Sequence, residues 1–386
     1  MKVAKVLAFF SPGQGSLMAS EYFLYRELQR RGYEVEIYSS DIPAGRYLVK
    51  HRLSEGRCNG IKVVRCFTLM NLGGDMPITP SIVEKLGKTD ADLIHVHEYY
   101  NLSSVAGWLV AKKKSIPLVL AQERYYDPHR PVYRPFFVLA ESTICKKVVE
   151  DCAAVNAYST AAKDYILRKW SLKKSVWITP MCTDVKELFK PRRSDFRQDL
   201  GVRDDELLIL SVARMHRSKG LHYLIAAFKK LRREVGETKL VLVGRGPEEA
   251  AIRKTVSYFG LEDRVVVYTE PIPYAEMWRV YNSCDIYVQP SLWETFGLSV
   301  VEAMGCAKPV VVASEGGVRD IVIECSHGLR TPPRDVEQLY ACLKLLAQNP
   351  QLRAEMGKKA RERALSFDYR EVAEVYDKLY RSIAEQ

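Results

Sequence analysis

The chain carries nine cysteines but no C-x-x-C pair, and this removes the ligand spacing of a structural zinc site. They are scattered from Cys58 to Cys342, and several, such as Cys284 and Cys306, sit inside apolar segments, as reduced and buried thiols do. A second lack is any run near the ~20 apolar residues needed to span a bilayer. MKVAKVLAFF at the N-terminus has an apolar middle but no small-residue cleavage site behind it, so it reads as a first strand. The expected location is therefore cytoplasmic. Also missing is a basic strip interleaved with aromatics, which argues against a nucleic-acid partner.

What remains is a soluble-type composition with 47% hydrophobic and 27% charged residues. At 386 residues the chain is long enough for two domains, each with its own core. The net charge of +11 favours polyanions, phosphorylated substrates or an anionic membrane surface. Its basic clusters (112–114, 146–147, 192–193 and 229–233) are short and read mainly as solvated helix faces. Peripheral association with the inner face of a membrane is an added expectation.

Short β-branched runs alternate with amphipathic segments, the pattern of parallel sheets with crossover helices. The first half offers strands at 5–10, 33–39, 62–67, 92–97, 117–122, 154–159 and 175–180. A polar, basic, proline-bearing stretch at 189–201 reads as the interdomain crossing. Strands then resume at 206–214, 239–244, 264–270, 285–291 and 309–314. The expected domains are 1–188 with a returning helix at 369–386, and 189–368. In the last segment Val372, Val375, Tyr376 and Leu379 form an apolar stripe that must pack on something.

In open parallel sheets ligands bind beyond the carboxyl ends of strands. The first strand ends in SPGQGS, where Gly13 and Gly15 permit a tight turn before a helix whose free N–H groups suit an anion. It is not G-x-G-x-x-G, and no acid closes the second strand, so a purely structural turn stays an open reading. In the second half, SVARMHRSKG places Arg214 and Lys219 just past a buried strand, where two cations suit a departing diphosphate. VGRGP at 243–247 is a further turn at that edge. Glu294 falls in the loop after DIYVQPS, Phe296 to Ser299 open the next helix, and Glu302 follows about one turn inside. Two carboxylates flanking a helix mouth can accept vicinal hydroxyls, one from a sugar and one from a ribose.

Taken together, ETFGLSVVEAMGCAKPVV, RMHRSKG, VGRGP and EGGVRD resemble the retaining GT-B glycosyltransferases with the E-x7-E motif, the group 1, mannosyltransferase-like family. The resemblance covers essentially the whole chain. It implies an α/β fold of two Rossmann-like, doubly wound parallel-sheet domains facing across a cleft, with the donor nucleotide on the second and the acceptor on the first. By resemblance Arg214 and Lys219 hold the diphosphate, Glu294 the donor sugar, Glu302 the ribose, and the backbone of Phe296, Gly297 and Leu298 the phosphates. Gly15 and Ser16 would approach the diphosphate, Gly244 would line the site, and Tyr268, Thr269 and Glu270 would flank the base. The implied donor is a UDP- or GDP-sugar, the acceptor a sugar or a lipid-linked or phosphorylated glycan, and no metal or other cofactor is expected.

Departures from the family pattern are informative. Gly-Gly in the first loop is Gly15-Ser16, the glycine before Arg214 is Ala213, and P-N-G-V-D is Pro180-Met181-Cys182-Thr183-Asp184. The T-x-H that usually ends the fifth strand is Ala121-Gln122-Glu123, so Glu123 stands where a catalytic-side histidine is usual. His95 and His97 read as local structure, although His97 closes a strand. The segment 123–137, ERYYDPHRPVYRPFF, suits the acceptor side or a lipid interface. Two rivals stay open: a sugar-nucleotide 2-epimerase of the same fold, and a catalytically silent nucleotide-sugar-binding protein.

Overall fold

The computed structural model describes residues 1–11, 15–43, 52–58, 60–72, 76–124, 138–172 and 174–385. They form two compact units, Met1–Met181 with Val372–Gln386, and Cys182–Glu371.

Unit 1 contains β1 (Lys2–Leu7), β2 (Glu34–Ser40), β3 (Gly56–Cys58), β4 (Ile61–Cys66), β5 (Met70–Leu72), β6 (Met76–Ile78), β7 (Leu93–His97), β8 (Leu118–Gln122), β9 (Ala154–Ala157) and β10 (Val176–Ile178). Eight of them make one sheet in the order β10-β9-β8-β7-β1-β2-β4-β3, and β5 pairs with β6 separately. All ladders of the large sheet are parallel except β3 on β4. Residues on both faces of β1, β7 and β8 are buried, as helices on both sides of a sheet require.

A polar seam runs through this interior. His95, fully buried in β7, meets Asn156 Oδ1 through Nε2 at 2.9 Å and the Tyr380 hydroxyl through Nδ1 at 2.7 Å. Asn156 Oδ1 can only accept, so Nε2 carries the proton and Nδ1 accepts from Tyr380. Burial holds the imidazole neutral, far below its usual range. Tyr380 lies on the last helix, Tyr369–Ala384, and Val372, Ala373, Tyr376 and Leu379 are buried with it. The apolar stripe thus finds its partner, and hydrogen bonds fix its register.

Unit 2 is a single parallel sheet: β11 (Leu207–Val212), β12 (Thr238–Val243), β13 (Val265–Tyr268), β14 (Ile286–Gln289), β15 (Val310–Ala313) and β16 (Gly328–Thr331), in the order β13-β12-β11-β14-β15-β16. Chain order reverses between β11 and β14, so the loops after these strands flank a topological switch point. The unit begins at residue 182 because Cys182–Phe189 packs within it. Phe189 is fully buried, and one Arg361 nitrogen donates to the carbonyls of Val185, Phe189 and Gly305 at 2.8, 2.8 and 2.6 Å.

The two switch-point loops approach so closely that a side chain is excluded. Gly220 has φ +64°, and a Cβ there would lie 2.1 Å from the Pro290 carbonyl oxygen. Leu292 N–H also donates to the Ser218 carbonyl at 2.7 Å.

Two outcomes follow from this packing. Gly220→Ala should lower the thermal midpoint of unit 2 by several degrees, since each kcal/mol shifts a unit of this size by ~2–4 °C; calorimetry reads it. His95→Phe deprives Asn156 Oδ1 and the Tyr380 hydroxyl of a buried partner and should cost about 1–3 kcal/mol in urea unfolding.

Candidate functional site

The loop after β11 holds both predicted cations. Its 3₁₀ turn, Arg217–Lys219, is capped by His216, whose Nδ1 accepts from Ser218 N–H at 3.2 Å. The cap and the left-handed Gly220 set the direction of Lys219. Its Nζ donates to Glu294 Oε2 at 2.7 Å. Two neutral donors reach the same oxygen, Ser291 Oγ at 3.0 Å and Gln289 Nε2 at 3.2 Å. The Glu294 carbonyl accepts from Gly317 N–H at 2.9 Å, which brings in the EGG loop after β15. One residue therefore ties three sheet-end loops together. Arg214 sits two residues past β11 with an exposed side chain that makes no ion pair among the described residues.

The Lys219–Glu294 pair is mostly desolvated, with side chains 22% and 9% exposed. In such surroundings the pair holds geometry more than it adds stability, and removing the lysine strands a nearly buried carboxylate.

VGRGP underlies this loop. A Cβ on Gly244 (φ +143°) would lie 2.0 Å from the Ala213 carbonyl oxygen, and one on Gly246 2.2 Å from that of Met215. Gly244 thus works as a backbone contact under Arg214. Tyr268, at the end of β13, packs edge-on against Phe196 at 5.5 Å. Arg245 donates to the Thr269 carbonyl and lies 3.9 Å from Glu270. The three residues expected to flank a base are therefore at the same sheet edge.

Gly297, at φ +105°, turns the chain into the helix Leu298–Gly305. Phe296 is buried against Phe367 at 5.7 Å, so its role at the junction is carried by its backbone. Glu302 departs from the expected open geometry. It is fully buried, with Oε1 accepting from Tyr274 Oη at 2.7 Å and Oε2 from Tyr281 Oη at 2.5 Å. The helix is buried nearly all round, so its fifth residue faces the 3₁₀ turn Tyr274–Glu276 and the helix Met277–Ser283 instead of solvent. Each oxygen keeps a further lone pair, but the side chain itself is fully buried. No pattern of spacing announces those two tyrosines, because the contact is made across elements.

Unit 1 has its own switch point, between β1 and β7. Gly15 opens the helix Gly15–Arg30 and Ser16 follows; Gly13 lies outside the described residues, as do 125–137 of the aromatic-basic segment. Glu123 follows β8, with its Oε2 3.6 Å from His97 Nε2. His97 closes β7, stacks on Tyr158 at 5.7 Å, and faces Glu123. Burial, with Lys5 and Arg124 nearby, depresses its pKa to about 3, so the ring is neutral. Glu98 follows it with φ +64° and is 2% exposed. Burial raises the Glu98 carboxyl to about 7. Ligand-type atoms of His97, Glu98 and Glu123 lie within 4.8 Å of one another, the one such group among the described residues. The Glu98 oxygens, however, are turned to N–H donors and the cationic Arg124 sits on the same loop, a poor setting for a cation.

Two family models match this chain, "Glycosyltransferase Family 4" over residues 22–187 and "Glycosyl transferases group 1" over 192–363. A D-inositol 3-phosphate glycosyltransferase of Saccharomonospora viridis is 30% identical over 312 residues, 75% of this chain and 70% of that protein. Sulfoquinovosyl transferase SQD2 of Arabidopsis thaliana is 28% identical over 321 residues; the match takes in 76% of this chain and 57% of that relative's length. Among solved structures, Anabaena Alr3699/HepE in complex with UDP matches at a TM-score of 0.78 and 20% identity over 100% of both chains, a likeness of fold. The fold is GT-B, and with a 30% identical relative matched over most of both proteins the chain belongs to the group 1 glycosyltransferases.

Proposed function

We propose that this protein is a retaining glycosyltransferase that moves a sugar from a nucleotide-diphosphate sugar to an acceptor hydroxyl without a metal ion. The observation that carries the reading is the knot at the unit 2 switch point. Lys219 is aimed by Glu294, the exposed Arg214 stands on the same loop, and a glycine-led helix opens beside them. Cleavage of the donor leaves negative charge on the diphosphate, and fixed cations at that point stabilise it without reorganising. In this reading Arg214 and Lys219 receive the leaving group and supply the charge that a metal would supply elsewhere. Glu294 takes donor-sugar hydroxyls, and the backbone of Phe296, Gly297 and Leu298 takes phosphate oxygens. Tyr268, Thr269 and Glu270 flank the base; Gly15 and Ser16 approach the diphosphate, and Glu123 faces the transferred sugar or its acceptor. Glu302 binds ribose once Tyr274 yields.

A UDP-sugar is the favoured donor over a GDP-sugar, because the fold relative from Anabaena was crystallised with UDP. The relative named for D-inositol 3-phosphate favours a phosphorylated acceptor. The net charge of +11 agrees with that choice. Exposed Val138, Leu139 and Ile144 beside the exposed Lys146 and Lys147 suit peripheral contact with an anionic membrane from the cytoplasmic side.

Three experiments test this. A panel of UDP- and GDP-sugars with and without acceptors, with products read by NMR, should give a glycoside of unchanged anomeric configuration. An epimerised donor formed without acceptor, or binding without turnover, would support one of the rival readings instead. Arg214→Ala and Lys219→Ala should each lower kcat by roughly 10² or more, and native rates in both variants would contradict the assignment. Sedimentation with phosphatidylglycerol vesicles, lost in a Leu139→Glu/Ile144→Glu variant, checks the membrane contact.

A further inference from the structure

Glu98 is not used by any of the roles above, yet its backbone and both its oxygens are held. It is a glutamate in the left-handed region, where non-glycine residues other than Asn and Asp are uncommon. Its carboxylate is buried, and one oxygen, Oε1, accepts two main-chain hydrogen bonds, from Glu123 N–H and Arg124 N–H, each at 2.9 Å. The other, Oε2, accepts from Gln122 Nε2 at 3.3 Å, and that amide also donates to the Arg124 carbonyl at 2.8 Å. Glu98 N–H in turn donates to the Ala121 carbonyl at 2.8 Å. The residue after β7 therefore grips every residue from 121 to 124, the end of β8 and the turn that follows it.

We infer that Glu98 is a positioning residue: it braces the turn that presents Glu123 beside His97, and so fixes the geometry of sugar transfer without touching substrate. The inference rests on the proposed role of Glu123 for its catalytic consequence, while the bracing itself stands on the hydrogen bonds. Three features support a brace over a metal ligand. The carboxylate faces donors on both oxygens, its main-chain partners are the residue being positioned and the one after it, and the Arg124 cation lies within the same turn. The left-handed backbone at position 98 is the strain that a fixed side-chain direction requires.

The test uses reach as its variable. Glu98→Gln keeps an acceptor oxygen at the same distance from the backbone. Glu98→Asn is also a neutral amide and tolerates the left-handed conformation well, but is one methylene short of the two N–H groups. Full-length protein with its best UDP-sugar and acceptor should keep kcat within about threefold in E98Q. In E98N kcat should fall about 10- to 100-fold, the cost of a reacting group displaced by about 1 Å, with the donor KM within about twofold of wild type. Amide hydrogen exchange at Glu123 and Arg124, a readout independent of any activity, should quicken about tenfold or more in E98N and stay native in E98Q. E98D repeats the comparison with charge retained should E98N fail to fold. Equal kcat losses in E98Q and E98N, native exchange in E98N, or activity abolished by a chelator would overturn the inference. Faster exchange in E98N with no transferase activity even in the wild-type protein would uphold the brace and fault the proposed function.

Discussion

A single carboxylate oxygen organises the second unit. Glu294 Oε2 gathers Lys219, Ser291 and Gln289, while its carbonyl takes Gly317 N–H. Loops after β11, β14 and β15 are thereby locked at the one sheet edge where the chain order reverses. Gly220 follows from this constraint. Once the loops are drawn together, it has room for no side chain against Pro290. In the proposed reading, the cation offered to a diphosphate is held before the ligand arrives, and preorganisation of this kind is what lowers a barrier.

The first unit repeats the device with different chemistry. There the buried acid is Glu98, and it holds main-chain N–H groups in place of a lysine. The acid it presents, Glu123, faces a neutral His97 in a polar layer that continues through Tyr158 to Glu21, with a hydrogen bond of 2.9 Å between the last two. Each doubly wound sheet thus has a carboxylate that sets loop geometry at its switch point. Such a group is costly to bury and persists only where its partners compensate it.

The strand pattern was legible because parallel strands covered on both faces are apolar along their whole length. β7, β8, β12 and β14 lie within a residue or two of their expected places. The short strands β3, β5, β6 and β16 were not, since their segments GRC, MNL, MPI and GLRT lack the β-branched apolar run that marks β13 and β15. Arg214, Lys219 and Glu294 were legible as candidates because each follows a recognisable buried strand. Glu98 was missed because its value lies in a left-handed backbone and two main-chain donors 25 and 26 residues away.

The sequence by itself determined the two α/β halves, the loops that carry charge, and the family, since these depend on local periodicity and on residue types at strand ends. Only the tertiary structure decided what each acid faces. Glu294 and Glu302, eight positions apart, meet opposite fates: one accepts from a lysine at the sheet edge, the other is sealed beneath two tyrosines. Helical spacing sets where a side chain leaves the backbone, but its partners come from elements distant in sequence, and these come together only when the sheet closes its core.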